Sequence, residues 1–208
     1  METKEYPVNR YAPIPVRVRT AGVTGAATAG AIAIILIVAL LWGLGRSKPL
    51  TAADALKVAL SQVGTTENAA GGSKFNQWFM TTSAAKRGVA QNGGSVSDYA
   101  NASWCDMFVS WIGDRLGVRG MGADAFTPDH AKWFIAQGRW GNVPKPGAVV
   151  FFSWNGGGIN GIDHVGLVIK DNHDGTIQTV EGNTDDAVKV RTRPVSEVVG
   201  YGYPDYAQ

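Results

Sequence analysis

Between residues 21 and 45 the chain carries no charged side chain, and that stretch limits every arrangement the rest can adopt. Its densest part, 31–42, is almost wholly Ala, Ile, Leu and Val, ending in Trp42. A segment of this length crosses a bilayer as a helix. The chain therefore divides into a disordered tail at 1–20, a transmembrane helix at 21–45, a linker at 46–50 and a domain at 51–208. Lys4, Arg10, Arg17 and Arg19 precede the apolar stretch, and Arg46, Lys48 and Lys57 follow it. This slight bias places the tail inside and the domain outside the cell membrane as a single-pass protein. Gly22, Ala26 and Gly30 form a small-residue face suited to packing against the helix of a membrane-protein partner. The competing reading is a signal peptide cleaved near 51–53, which would leave a secreted domain. The apolar run exceeds a typical signal core and that site falls inside a predicted helix, so an uncleaved anchor is favoured.

Beyond the anchor, about 160 residues suffice for one domain. A helix is predicted over 51–63, with Thr51 as its cap and Leu56, Ala59, Leu60 and Val63 on one apolar face. A short second helix is predicted over 74–80. Later segments alternate and are β-branched: strands are predicted at 148–154, 164–170, 176–181, 187–193 and 198–203. Helices first and strands afterwards indicate an α+β fold with an antiparallel sheet. The net charge of +2 gives no case for a nucleic-acid partner.

The chain has one cysteine, Cys105, so it forms no internal disulfide and no Cys-x-x-Cys pair. Ser103 as an N-cap, with Asp106 completing a capping box, would start a helix. Phe108, Val109, Trp111, Ile112 and Leu116 continue it, and Gly117 ends it. At the second helical position, Cys105 would meet amide N–H groups and the positive end of the helix dipole, which favour the reactive thiolate. The same spacing also fits a buried, inert cysteine. A nucleophile needs a base, and there are three histidines. His173 lies in a polar turn. His130 falls in the first turn of a helix capped by Thr127 with Pro128 next, an ordinary place for a neutral surface histidine. His164 opens a strand. Pairing about the turn at 172–175 sets it opposite Asn183, with Glu181 on the same side, and a carboxylate and an amide together fix an imidazole tautomer. Gly166 leaves room beside the ring. A zinc site of Cys105, His164 and His130 lacks ligand-like spacing, so no metal and no cofactor is expected.

These residues carry a resemblance. The segments Trp104-Cys105-Asp106-Met107-Phe108-Val109-Ser110-Trp111, Pro144 to Phe152, Asp163-His164-Val165-Gly166-Leu167-Val168 and Val180-Glu181-Gly182-Asn183-Thr184 occur in this order. They resemble the CHAP domain, the cysteine- and histidine-dependent amidohydrolase/peptidase of the papain-like superfamily. The resemblance implies a papain-like fold, with N-terminal helices packed on the sheet. It implies Cys105 as nucleophile, His164 as base, Glu181 as its orienting group and Asn183 as a support for the imidazole. It further implies a cell-wall peptidoglycan substrate, with Glu67, Asn68, Trp104 and Trp154 as substrate contacts. A calcium loop found in some members would fall at 96–102, where a single carboxylate is too few ligands. The alternative reading is a non-catalytic wall-binding or scaffold subunit of an envelope-spanning secretion, conjugation or phage-derived apparatus.

Overall fold

Helices precede strands along the chain, as the patterning predicts. The computed structural model describes residues 50–118 and 120–206. The tail, the apolar stretch at 21–45 and most of the linker lie outside the described residues, among which no helix is long and apolar enough to cross a membrane. The described residues fall in one unit, Lys48–Gln208.

Helix α1 (Ala52–Leu60) begins with a capping box. The Thr51 hydroxyl accepts the Asp54 N–H, and the Asp54 carboxylate accepts the Thr51 N–H. The helix stops earlier than expected and buries Ala55 and Ala59, whereas Leu60 and Val63 are exposed. The chain leaves the helix to pair with the strand that opens at Ala187: Gly64 donates to the Val188 carbonyl, and Val188 to that of Thr65. Helix α2 (Lys74–Phe79) is capped by Ser73 and Asn76. Helix α3 (Ser83–Asn92) is not predicted, because it buries only Ala84 and Ala85 and carries no apolar stripe. The 3-10 helix Val96–Asn101 occupies the segment where a calcium loop would fall, and its Asp98 carboxylate accepts the Ser95 N–H. Helices α4 (Cys105–Leu116) and α5 (Thr127–Ala136) follow. Gly117 closes α4 in the left-handed conformation expected of it.

Six antiparallel strands form one sheet in the order β1-β6-β2-β3-β4-β5. They are β1 (Trp140–Gly141), β2 (Val149–Phe152), β3 (His164–Asp171), β4 (Thr176–Thr184), β5 (Ala187–Pro194) and β6 (Val198–Gly202). Five of the six match predicted strands; the two-residue β1 is too short to leave a periodic signal. Alternation sends Val149, Phe151, Val165, Leu167, Val180 and Val188 into the core shared with Phe75, Phe79, Phe108, Ile112 and Phe134 of the helices. Ala148, Val150, Phe152, Val168, Ile177 and Tyr201 form a second buried cluster.

The seam between α4 and the sheet closes at Gly182. A Cβ there would lie 2.6 Å from Phe108 Cβ and 2.8 Å from Trp104 Cζ3, closer than carbon atoms approach. The glycine lets the start of α4 lie directly on β4. Gly182→Ala is expected to cost about 1–3 kcal/mol through overpacking, read as a lowered Tm in thermal denaturation; an unchanged Tm would show that the seam is not tight.

Candidate active site

Cys105 is the first residue of α4, not the second. Trp104 occupies the N-cap and offers no side-chain cap, and Ser103, the expected cap, lies one residue further out. Asp106 does not fold back on the helix start. It turns inward, where Oδ1 lies 2.6 Å from Nδ1 of His130. His130 is therefore not the surface histidine expected from its place in the first turn of α5; it is buried, with Nε2 2.7 Å from the Met121 carbonyl oxygen. Helix α5 itself starts one residue early, at Thr127, whose hydroxyl donates to the Ile162 carbonyl instead of capping.

The Cys105 thiol is almost wholly buried. Burial first, and then the Asp106 carboxylate, push it up to about 12, while the amides of Asp106 and Val165 act in the opposite direction. The helix-end stabilisation expected from the sequence is present but outweighed by desolvation. The resting group is a thiol, and its ionisation requires a proton acceptor.

His164, the residue before Val165, is buried at the start of β3. Its Nε2 lies 2.9 Å from Glu181 Oε2. An ionised carboxylate only accepts, so Nε2 carries a proton and the ring is oriented with Nδ1 turned away from Glu181. Glu181 is fully buried and accepts further hydrogen bonds from Thr179 Oγ1 at 2.6 Å, Thr184 Oγ1 at 3.1 Å, and Arg193 Nε and Nη2 at 3.0 and 2.7 Å. Burial alone would raise its carboxyl, but His164, Arg193 and Thr179 hold it well below the usual carboxylate range. Glu181 is thus a fixed anion behind the imidazole.

Arg193 was not foreseen. Lys189, Arg191 and Arg193 alternate along β5 like the solvated face of an edge strand, and only the tertiary fold shows that the last of them turns onto Glu181. The expected β3–β4 register holds where it can be read, with Leu167 opposite Val180, but at Asn183 the backbone is not that of a regular strand. The β4–β5 register shifts between Glu181 and Thr184, and Asn183 sits there in a left-handed conformation with φ 56°. That bulge brings Thr184, not Asn183, to the carboxylate, with the Thr184 hydroxyl also 3.5 Å from His164 Nε2. No hydrogen bond joins Asn183 to the imidazole among the described residues.

The four expected substrate contacts separate. Trp154 stacks on His164 with ring centroids 5.3 Å apart and remains 45 % exposed. Its indole N–H donates to Glu197, and the Arg193 guanidinium lies over its ring. Trp104 is wholly buried, stacked on Phe75, and donates its indole N–H to Glu67 Oε1 at 2.7 Å. It is the floor beneath the cysteine and offers no surface to a ligand. Glu67 is half-buried. Asn68 is exposed, and its Oδ1 accepts the N–H groups of Ala70 and Gly72, closing the turn. His173 is exposed, as its turn implies. Among the described residues no group of three or more His, Cys, Asp and Glu side chains is placed to hold a metal ion.

A family model, that of the CHAP domain, matches residues 97–183. The matched stretch contains Cys105, His164 and Glu181 and stops short of Thr184 and Arg193. No curated protein matches the chain.

Arg193→Met removes two of the hydrogen bonds to Glu181 and is expected to cost about 1.5–3 kcal/mol. It also changes the acid limb of stability. The folded carboxyl lies below its unfolded value, so its contribution is present above about pH 4.3 and is lost as the pH falls through the folded value. Without Arg193 the folded value moves up toward the unfolded one, so urea unfolding across acid pH should show a smaller loss that begins at the same pH as in the parent and is complete at a higher pH. Superimposable curves would show that Arg193 does not hold the Glu181 charge.

Proposed function

We propose that this chain is a peptidoglycan hydrolase that cleaves an amide bond through a thioester on Cys105, with His164 as base and Glu181 as its orienting group. The observation that carries the reading is the His164–Glu181–Arg193 chain, with its histidine and glutamate buried, beside a cysteine that opens a helix. It fixes the ring and leaves Nδ1 as the nitrogen that can take the thiol proton. The match of residues 97–183 to a domain whose members are usually cysteine- and histidine-dependent amidohydrolases or peptidases supports the same reading.

The chemistry follows from these groups. The thiol proton passes from Cys105 Sγ to His164 Nδ1, and the sulfur attacks the carbonyl carbon of the scissile amide. The tetrahedral intermediate collapses with rupture of the C–N bond, and Nδ1–H protonates the leaving amine. Water then gives a proton to Nδ1 and attacks the thioester carbonyl. The C–S bond breaks, a carboxylic acid leaves, and Cys105 recovers its proton. Throughout, Glu181 keeps Nε2–H directed at itself and stabilises the imidazolium that forms twice in the cycle. Trp154, exposed against the imidazole, offers a flat apolar surface to the sugar or peptide around the bond.

No direct thiol–imidazole hydrogen bond is formed among the described residues; such contacts commonly tighten only when substrate is bound. Within this reading, the uncharged stretch at 21–45 holds the domain on the outer side of the membrane, within reach of the wall.

Purified cell walls incubated with the protein should release soluble fragments, and Cys105→Ala should reduce that release to background while leaving the unfolding transition in place. Fragment release by Cys105→Ala at the parental rate would sink the proposal. Mass spectrometry of the fragments separates an endopeptidase, which leaves new peptide ends, from an N-acetylmuramoyl-L-alanine amidase, which leaves free sugar chains. In a second experiment, removal of residues 1–45 should move the protein from the membrane fraction to the soluble one; an unchanged distribution would rule out the anchor.

A further inference from the structure

Asp106 and His130 lie behind the cysteine and take no part in the chemistry above, yet they are among the most deeply buried polar side chains in the domain. Asp106 is fully buried and His130 is 1 % exposed. The His130 ring stacks on Phe134 at 5.1 Å and meets Phe151 edge-on at 5.7 Å. Gly122, in a left-handed conformation, makes room for it: a Cβ there would lie 2.5 Å from Nε2.

The hydrogen bonds of the ring fix how many protons the pair holds. The Met121 carbonyl oxygen only accepts, so Nε2 carries a proton. A neutral imidazole in that tautomer has a lone pair on Nδ1, and it cannot face an ionised carboxylate oxygen at 2.6 Å. One more proton must lie between Nδ1 and Oδ1. Whether it resides on the ring or on the carboxyl, the pair as a whole is uncharged. Burial raises the Asp106 carboxyl, and Asp106 holds the His130 proton against burial, so both groups favour keeping it.

The other oxygen, Asp106 Oδ2, is buried and has no hydrogen-bond partner. The charged and titratable groups that interact with this pair are few. Cys105 adjoins it on α4, His164 lies across from it on β3, and Asp124 lies in the loop before α5. The Ser110 hydroxyl holds that loop by bonding both the N–H and the carbonyl of Asp124, at 2.9 and 3.0 Å. The aromatic neighbours on α5 and β2 are uncharged. An unneutralised Asp106 would set a buried negative charge beside the sulfur that must itself become negative.

We propose that His130 is a positioning residue that keeps a proton on the Asp106 pair, so that the residue following the nucleophile adds no net charge to the site when Cys105 ionises. The proposal rests on Cys105 being the reactive group. It is tested without cell wall, by the rate at which iodoacetamide alkylates Cys105 in the full chain as a function of pH.

His130→Gln cannot hold the extra proton, leaves Asp106 anionic, and should move the alkylation profile to higher pH, with a rate at neutral pH about tenfold lower. Asp106→Asn suits the neutral tautomer, since its amide N–H donates to Nδ1 while Nε2–H still reaches Met121. It should put the profile at or somewhat below that of the parent, since it also removes the push of the Asp106 carboxylate on the thiol. The double variant should return to the parental profile, a rescue that a purely structural role of His130 would not give. An unmoved profile in His130→Gln, a failure of the double variant to recover, or a shift of Asp106→Asn itself to higher pH would each overturn the proposal. If His130→Gln does not fold, the parental protein still decides the matter. Its His130 should show a strongly downfield Nδ1 proton retained across the neutral pH range, and an ordinary titrating imidazole would refute it. Loss of wall hydrolysis in Cys105→Ala bears on the enzyme reading alone and leaves this test separate.

Discussion

A carboxylate cut off from water must be satisfied by the protein, and the carboxylate of Glu181 is satisfied by side chains from three strands. His164 comes from β3, Thr179 and Thr184 from β4 itself, and Arg193 from β5. Two registers must hold at once for these groups to converge. The β3–β4 ladder sets the histidine beside the glutamate, and the β4–β5 ladder brings the arginine from the other side. The bulge at Asn183 turns Thr184 inward to complete the set. Shifting either strand by one residue would send its partner to the opposite face of the sheet and leave a buried charge unpaired, which costs far more than the pairing gains. The ion pair therefore contributes less to net stability than to uniqueness of register.

The cysteine is positioned by a different kind of contact. Three consecutive residues fix the start of α4. Trp104 lies flat on Phe75 and ties its indole N–H to Glu67, Cys105 faces the beginning of β3, and Asp106 turns back into the aromatic box around His130. One turn on, Phe108 sits against Gly182, the residue after Glu181. The absence of a side chain at 182 is what couples the helix of the thiol to the strand of the orienting carboxylate.

The strands of this domain are legible in the sequence because their signal is local: β-branched residues alternate, and turns at 172–175 and 185–186 punctuate them. Cys105, His164 and Glu181 are legible for the same reason, since one helix start and one hairpin bring them near each other. What is not legible depends on contacts distant in sequence. The sequence places Ser103 at the helix cap because Asp106 three residues on suits a capping box, but the fold spends Asp106 on His130, 24 positions away. His130 resembles a surface residue because nothing near it announces Phe151 or Gly122. Arg193 lies in a basic alternation typical of an exposed edge. Thr184 reaches the carboxylate through a bulge of β4 against β5, and the left-handed backbone at Asn183 is a choice asparagine permits without requiring.

A thiol pushed up to about 12 forms an isolated anion some 4 kcal/mol less readily than one in water. A standing thiolate is therefore not how this site would work. Ionisation has to be coupled to protonation of a neighbouring base, so that charge is separated over a short distance and partly offset by Glu181 behind the ring. In a low-dielectric pocket the strength of that coupling depends on every nearby fixed charge. A carboxylate directly following the proposed nucleophile then opposes its ionisation, unless its charge is cancelled. The chain does carry one, and buries it with a histidine whose hydrogen bonds demand an additional proton. The proposed nucleophile is governed as much by that second, enclosed pair as by the histidine that would take its proton.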